Sequence, residues 1–199
     1  MAEYTGEEDR TIESPGLENP NDRPEDLLAR LRQRDHQALA GIVEQHGPAL
    51  SRVAYLYLGD AHAADAVVQE TFVAAWDGAR RTTPATRLQS WIFGILLNRC
   101  RKHLRSLARR RRREREVAVR ESSPADPSEK SIGLERLDAL RAALAQLDPP
   151  LREVVILRYE RGLSVEETAA ALGIPEGTVK SQCHAAIERL RRRMEPEND

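Results

Sequence analysis

Residues 162–186 read GLSVEETAAALGIPEGTVKSQCHAA, and this stretch decides the fold. Ser164, followed three residues later by Glu167, forms a capping box. Its hydroxyl accepts from the Glu167 amide while the Glu167 carboxylate reaches back to the Ser164 amide. A short helix therefore opens there and runs to Leu172. Gly173 suits the left-handed residue that ends a helix, and Ile174-Pro175-Glu176-Gly177 turns the chain. A last helix is expected from Thr178 to Arg193. Leu163, Ala169, Leu172, Ile174, Val179, Ala186 and Leu190 are spaced to hold these two helices together, with Thr178, Lys180, Ser181, Gln182 and His184 at the reading end. Helix, tight turn and a second helix with a polar leading end is the helix-turn-helix layout, in which the first helix braces the second against the major groove. An ordinary helical corner in a small bundle has the same spacing.

Working back along the chain, every segment reads as helix. Leu151, Val154, Val155 and Leu157 mark one helix, preceded by Asp148-Pro149-Pro150. Leu134, Leu137, Leu140, Leu144 and Leu147 mark another. Leu88, Trp91, Ile92, Ile95, Leu96, Cys100, Leu104 and Leu107 define a long helix that runs directly into Arg109–Arg113. Val67, Val68, Phe72 and Trp76 lie on a helix opened by Gly59-Asp60, a stop followed by an N-cap. Leu39, Ile42, Val43, Leu50, Val53 and Tyr57 form one face of a helix that Gly47-Pro48 is expected to kink or briefly break. Leu27, Leu28 and Leu31 follow Pro24, which fits a first helical turn.

The fold class is therefore all-α, with two small helical domains joined by a flexible linker. An acidic tail spans 1–23 and is expected to be disordered. The first domain covers 24–113, the linker 114–131, and the helix-turn-helix domain 132–194. Ser122, Ser123, Pro124, Pro127 and Ser128 give the linker its composition.

Composition narrows the function. Aromatic residues are 4% and charged residues 32% of 199, and the net charge is only −1. That near-zero value conceals segregation: residues 1–25 carry eight acids and two bases, whereas residues 99–120 carry eleven bases and two acids. A basic block in a balanced chain points to a polyanionic partner. Arg99, Arg101, Lys102 and Arg105 stand on a helix that also keeps an apolar face. No stretch of about 18 apolar residues exists, so no stable membrane insertion is expected. Two cysteines make no disulfide framework and suit a reducing, cytoplasmic setting. Cys100-x-x-His103 and Cys183-His184 lack the spacing of a zinc site, because adjacent helical residues point about 100° apart. No catalytic constellation and no phosphate-binding glycine loop appear, so neither enzymatic activity nor a cofactor is expected. Trp76 and Trp91 fall on apolar faces. Trp91 also borders the loop after Asp77, where an unpaired base could stack.

Asp65-Ala66-Val67-Val68-Gln69-Glu70-Thr71-Phe72-Val73-Ala74-Ala75-Trp76 resembles the polymerase-binding helix in region two of bacterial sigma-70 family factors. Gln89-Ser90-Trp91-Ile92-Phe93-Gly94-Ile95-Leu96-Leu97-Asn98 and the basic stretch after it resemble the minus-ten-reading part of the same region. Leu147–Val154, Gly162–Ala169 and Gly177–Ser181 with His184 resemble region four. The resemblance covers about residues 25–193 and fits the compact extracytoplasmic-function subgroup, which has only regions two and four.

That resemblance implies a factor that binds core RNA polymerase and directs promoter recognition and transcription initiation, in a stress or envelope-signal response. It implies polymerase binding through Asp65, Gln69, Glu70, Thr71 and Trp76. It implies that Asn98, with the loop 79–89, meets the opened minus-ten strand while Arg99, Arg101, Lys102 and Arg105 hold phosphates. Thr178, Lys180, Ser181, Gln182 and His184 would read the minus-thirty-five box of promoter DNA, and an anti-sigma factor is a further implied partner. Ala66, Lys102, Gln182 and Ala185 depart from the family's usual residues. A plain helix-turn-helix regulator, or a sigma-like decoy that binds an anti-sigma factor, fits many of the same residues.

Overall fold

The computed structural model describes residues 24–117 and 132–194. The expected acidic tail and most of the expected linker lie outside the described residues. Eight α-helices carry the described chain: α1 (Pro24–Arg32), α2 (His36–Leu58), α3 (Ala61–Gly78), α4 (Leu88–Val117), α5 (Ile132–Leu144), α6 (Pro149–Val155), α7 (Val165–Leu172) and α8 (Glu176–Met194). A 3-10 turn, Ala79–Arg81, follows α3, and a π-helical turn, Ile156–Glu160, extends α6.

Local chemistry sets the boundaries. Asp35 and Asp60 cap α2 and α3 by accepting from Gln37 N at 2.8 Å and Ala63 N at 2.9 Å. The capping box at α7 is complete, with Glu167 N donating to Ser164 Oγ at 3.0 Å and Ser164 N donating to Glu167 Oε2 at 2.8 Å. Gly173 ends α7 at φ 68°, the left-handed conformation a side chain would strain.

The expected break at Gly47-Pro48 does not occur; α2 runs through it. Pro48 is exposed, so the Glu44 carbonyl that loses its amide partner lies on the wet side of the helix. Ile42, Leu50, Val53 and Ala54 are fully buried on the other side and hold both halves in line. The long basic helix also outruns the expected domain edge at 113 and reaches Val117.

Leu27, Leu31, Ile42, Leu50, Leu56, Ile92, Phe93, Leu96 and Leu97 form the centre of α1–α4. The same continuous core takes in Leu144, Ile156, Leu157, Leu163, Ala171 and Ala186, so α5–α8 pack directly on α1–α4. A smaller cluster of Val154, Ala169 and Val179 joins α6, α7 and α8. No described helix is long and apolar enough to cross a membrane.

Candidate nucleic-acid interface

Three surfaces carry the residues singled out in the sequence. The first is the outer face of α3. Asp65, Gln69, Glu70 and Val73 are all exposed, at i, i+4, i+5 and i+8. Val73 is 63% exposed, a large apolar side chain among polar ones. Thr71 and Trp76 do not share this face. Thr71 is fully buried and donates its hydroxyl to Val67 O at 2.8 Å. Trp76 is half-buried, stacked on His36 with ring centroids 4.5 Å apart and covered by the Arg34 guanidinium at 5.0 Å. Both belong to the packing that fixes α3, whereas Val73, quoted in the motif but given no role from sequence, stands on the outer face. Its signal was present: it stands four residues after Gln69, on the stripe of Asp65.

The second surface is a groove of about 430 Å³ between the end of α3 and α4, lined by Trp91, Asn98, Arg99 and Lys102 and closed by Arg81 and Thr82. Its edge is fixed from α1: Arg32 Nε donates to Thr82 Oγ1 at 2.8 Å, and Arg32 also donates to Thr83 O. The end of α3 packs on the Trp91 ring: a Cβ at Gly78 would stand 3.4 Å from Trp91 Cζ2, an ordinary contact. Cations beside an aromatic face, in an open groove, suit an unstacked base with its phosphates. Arg81 belongs to the 79–89 loop expected beside Asn98, and the two line the same groove. Arg99 Nη1 lies 3.7 Å from Glu70 Oε2, which joins the groove to the outer face of α3.

Arg101 and Arg105 lie on α4 beyond the groove. Arg101 is turned inward. Its Nε and Nη2 donate to the Glu153 carboxylate at 2.7 and 2.5 Å, and its Nη1 donates to Asn98 Oδ1 at 2.7 Å. Tyr57 Oη donates to the same carboxylate at 2.8 Å. The Glu153 hydrogen bond raises the Arg101 pKa further, and burial beside Glu153 raises that of Tyr57. Burial likewise pushes the Cys100 thiol up to about 12. Among the described residues no three His, Cys, Asp or Glu side chains converge as metal ligands.

The third surface is the leading part of α8. Lys180, Ser181 and His184 are exposed on one stripe, and Ser181 Oγ donates to Thr178 O at 3.0 Å. Thr178 is half-buried. Gln182 is turned from this stripe into a cleft of about 570 Å³ shared with Tyr57, Arg101, Arg105 and Glu153.

Residues 42–110 match the family model for sigma-70 region 2, and residues 137–190 that for sigma-70, region 4. The chain is 34% identical over 154 residues to the ECF RNA polymerase sigma factor SigL of Mycobacterium tuberculosis, covering 77% of this chain and 86% of that protein. Among solved structures, it is similar to CnrH in complex with the cytosolic domain of CnrY, with TM-score 0.69, 26% identity, and coverage of 88% of this chain and 99% of that one. It is also similar to the sigma factor RpoE in complex with the anti-sigma factor NepR from Bartonella quintana, with TM-score 0.62, 26% identity, and coverage of 78% and 96%. Two regions in the right order, an exposed α3 stripe, a basic aromatic groove and a helix-turn-helix thus meet in a chain that belongs to the ECF subgroup of the sigma-70 family of RNA polymerase sigma factors.

Proposed function

We propose that this chain binds core RNA polymerase through the Asp65, Gln69, Glu70 and Val73 face of α3 and directs it to promoters. The groove around Trp91, Asn98, Arg99 and Lys102 takes the opened minus-ten strand, and Lys180, Ser181 and His184 on α8 read the minus-thirty-five duplex. The observation that carries this reading is the contiguity of the first two surfaces. The Glu70–Arg99 pair at 3.7 Å puts a polymerase-facing helix and a strand-holding groove edge to edge, as a subunit must that melts DNA at the enzyme's surface. All chemistry belongs to the polymerase; the chain contributes recognition. A cytoplasmic location and control by an anti-sigma factor fit this role, and the similar RpoE was solved bound to such a factor.

The test is binding to purified core polymerase by size-exclusion chromatography, followed by footprinting on genomic promoter fragments. Co-elution with protection of two boxes supports the reading. A chain that protects one duplex site and never co-elutes with polymerase is a plain helix-turn-helix regulator. A chain that co-elutes but protects nothing is a decoy.

A further inference from the structure

The α4 residues that line the groove belong to a stripe that does not stop there. Trp91, Asn98, Lys102, Arg105, Arg109 and Arg113 recur at helical spacing, which keeps them within about 80° of one another around the axis. Trp91, Asn98 and Lys102 line the groove. Arg105, Arg109 and Arg113 continue the stripe past it, and all three are exposed. From Asn98 to Arg113 the stripe is about 22 Å long.

The opposite face of α4 marks where the packed body ends. Leu96, Leu97 and Cys100 are fully buried, Leu104 and Leu107 are half-buried, and every residue from Ala108 to Arg113 is exposed. The helix therefore continues beyond its own packing. A helix without a packed face is marginal in water, and five consecutive arginines, Arg109–Arg113, repel one another. A polyanion laid along this extension offsets that repulsion.

The stripe also differs from the rest of the basic block. Arg101 is engaged by Glu153 and Arg99 lies beside Glu70. Among the described residues no carboxylate pairs with Lys102, Arg105, Arg109 or Arg113. Arg105, Arg109 and Arg113 thus present guanidinium groups about one turn apart over about 12 Å. Two features of this extension favour duplex over single-stranded DNA. A single strand is held by aromatic platforms as well as by cations, and no Phe, Tyr or Trp stands on α4 after Phe93. Duplex DNA is straight over such a length and carries one charge per about 1.7 Å, twice the density of one strand.

We propose that α4 holds two forms of DNA in series: the opened strand in the groove at Trp91 and Asn98, and the backbone of the adjoining upstream duplex along Arg105, Arg109 and Arg113. The ligand of the extension is phosphate, and no base is read there. One rigid helix thereby fixes the junction between paired and unpaired DNA. This inference rests on the sigma-factor reading for the strand in the groove.

The test uses the full chain and fluorescein-labelled nucleic acids. One probe is a six-nucleotide single strand joined at its 5′ end to an eight-base-pair duplex arm. The others are a fourteen-nucleotide single strand of DNA and its RNA copy. Arg109→Ala combined with Arg113→Ala removes two positive charges from the stripe. Arg111→Glu changes the charge by the same two units on the opposite side of the helix. Circular dichroism should show wild-type helical content in both. The double variant should bind the junction about tenfold more weakly at 50 mM salt, with a slope flatter by about 1.8, the value of two duplex phosphates. Its loss on the two single strands should be several-fold smaller, and Arg111→Glu should retain the wild-type junction slope. Equal losses on the junction and on either single strand would overturn the proposal, the RNA result assigning the extension to a transcript. So would an unchanged junction slope in the double variant, or an equal flattening by Arg111→Glu, which would leave only a diffuse positive field. Transcription with core polymerase separates the two questions. If the wild type fails to initiate while the junction data come out as expected, the sigma-factor reading fails and the duplex contact stands.

Discussion

Replacing Val73 by aspartate tests which side of α3 meets the polymerase. Fully burying a valine is worth about 1.5–3 kcal/mol. Val73 still has 63% of its surface exposed, so docking gains about 1–2 kcal/mol from this side chain. Aspartate forfeits that gain and adds a carboxylate that docking must desolvate, at a further cost of about 1–3 kcal/mol. The expected loss is about 2–5 kcal/mol, at least about 30-fold in affinity. Stability should hardly change, because the position touches no core and surface substitutions usually stay within about 0.5 kcal/mol. Thr71→Val is the contrasting variant. It removes a buried hydroxyl that bonds to its own helix, which changes stability by about 1 kcal/mol and leaves docking alone. Titration of fluorescent core polymerase gives the affinities, and thermal unfolding by circular dichroism gives the stabilities. The reasoning fails if Val73→Asp binds core like the wild type, or if Thr71→Val weakens binding with no change in melting.

Other outcomes follow from the same geometry. Trp91→Ala should weaken single-strand binding by the value of one base stack, about 1–3 kcal/mol, and Trp91→Phe should retain most of it; equal affinities for all three chains would remove the base from the groove. On α8, Lys180→Ala should flatten the duplex salt slope by about 0.9, whereas Gln182→Ala should leave it unchanged because Gln182 faces the cleft; the reverse pattern would misplace the reading stripe. Burial, with Arg161 nearby, holds the His46 pKa below 6.5. The unfolded chain then takes up a proton near pH 6.5 that the folded chain resists, so stability is intact above that pH and declines below it, by up to about 1.4 kcal/mol per unit. His46→Gln should flatten unfolding free energy between pH 7 and 5.5, and an identical slope in both proteins would contradict this.

Features set by neighbours in sequence were legible. The Ser164–Glu167 box, the Gly173 stop and the Asp60 cap involve residues at most four apart, and the structure has each of them. Pro48 misled because local propensity competes with tertiary burial: the four fully buried side chains flanking it outweigh one missing amide bond. The resemblance grouped Thr71 and Trp76 with Asp65 and Gln69 because they share one motif, yet a helix turns 100° per residue and carries Thr71 into the core and Trp76 onto the apolar face its spacing predicts. Glu153 and Arg101 were unreadable as partners. They lie 52 residues apart, and each looks like an ordinary surface charge until α6 is packed on α4. Gly94 was equally silent, since nothing near it in sequence announces the Ala171 carbonyl of α7, which a Cβ there would meet at 2.6 Å.

The most direct test of the central claim is transcription in vitro. Core RNA polymerase is incubated with genomic DNA from the organism that encodes the chain, with and without the chain, and transcript 5′ ends are mapped. New starts are expected only when the chain is present, each preceded by common minus-ten and minus-thirty-five sequences, and Val73→Asp should abolish them. Identical start sites with and without the wild-type chain, at concentrations where it binds core polymerase, would contradict the account.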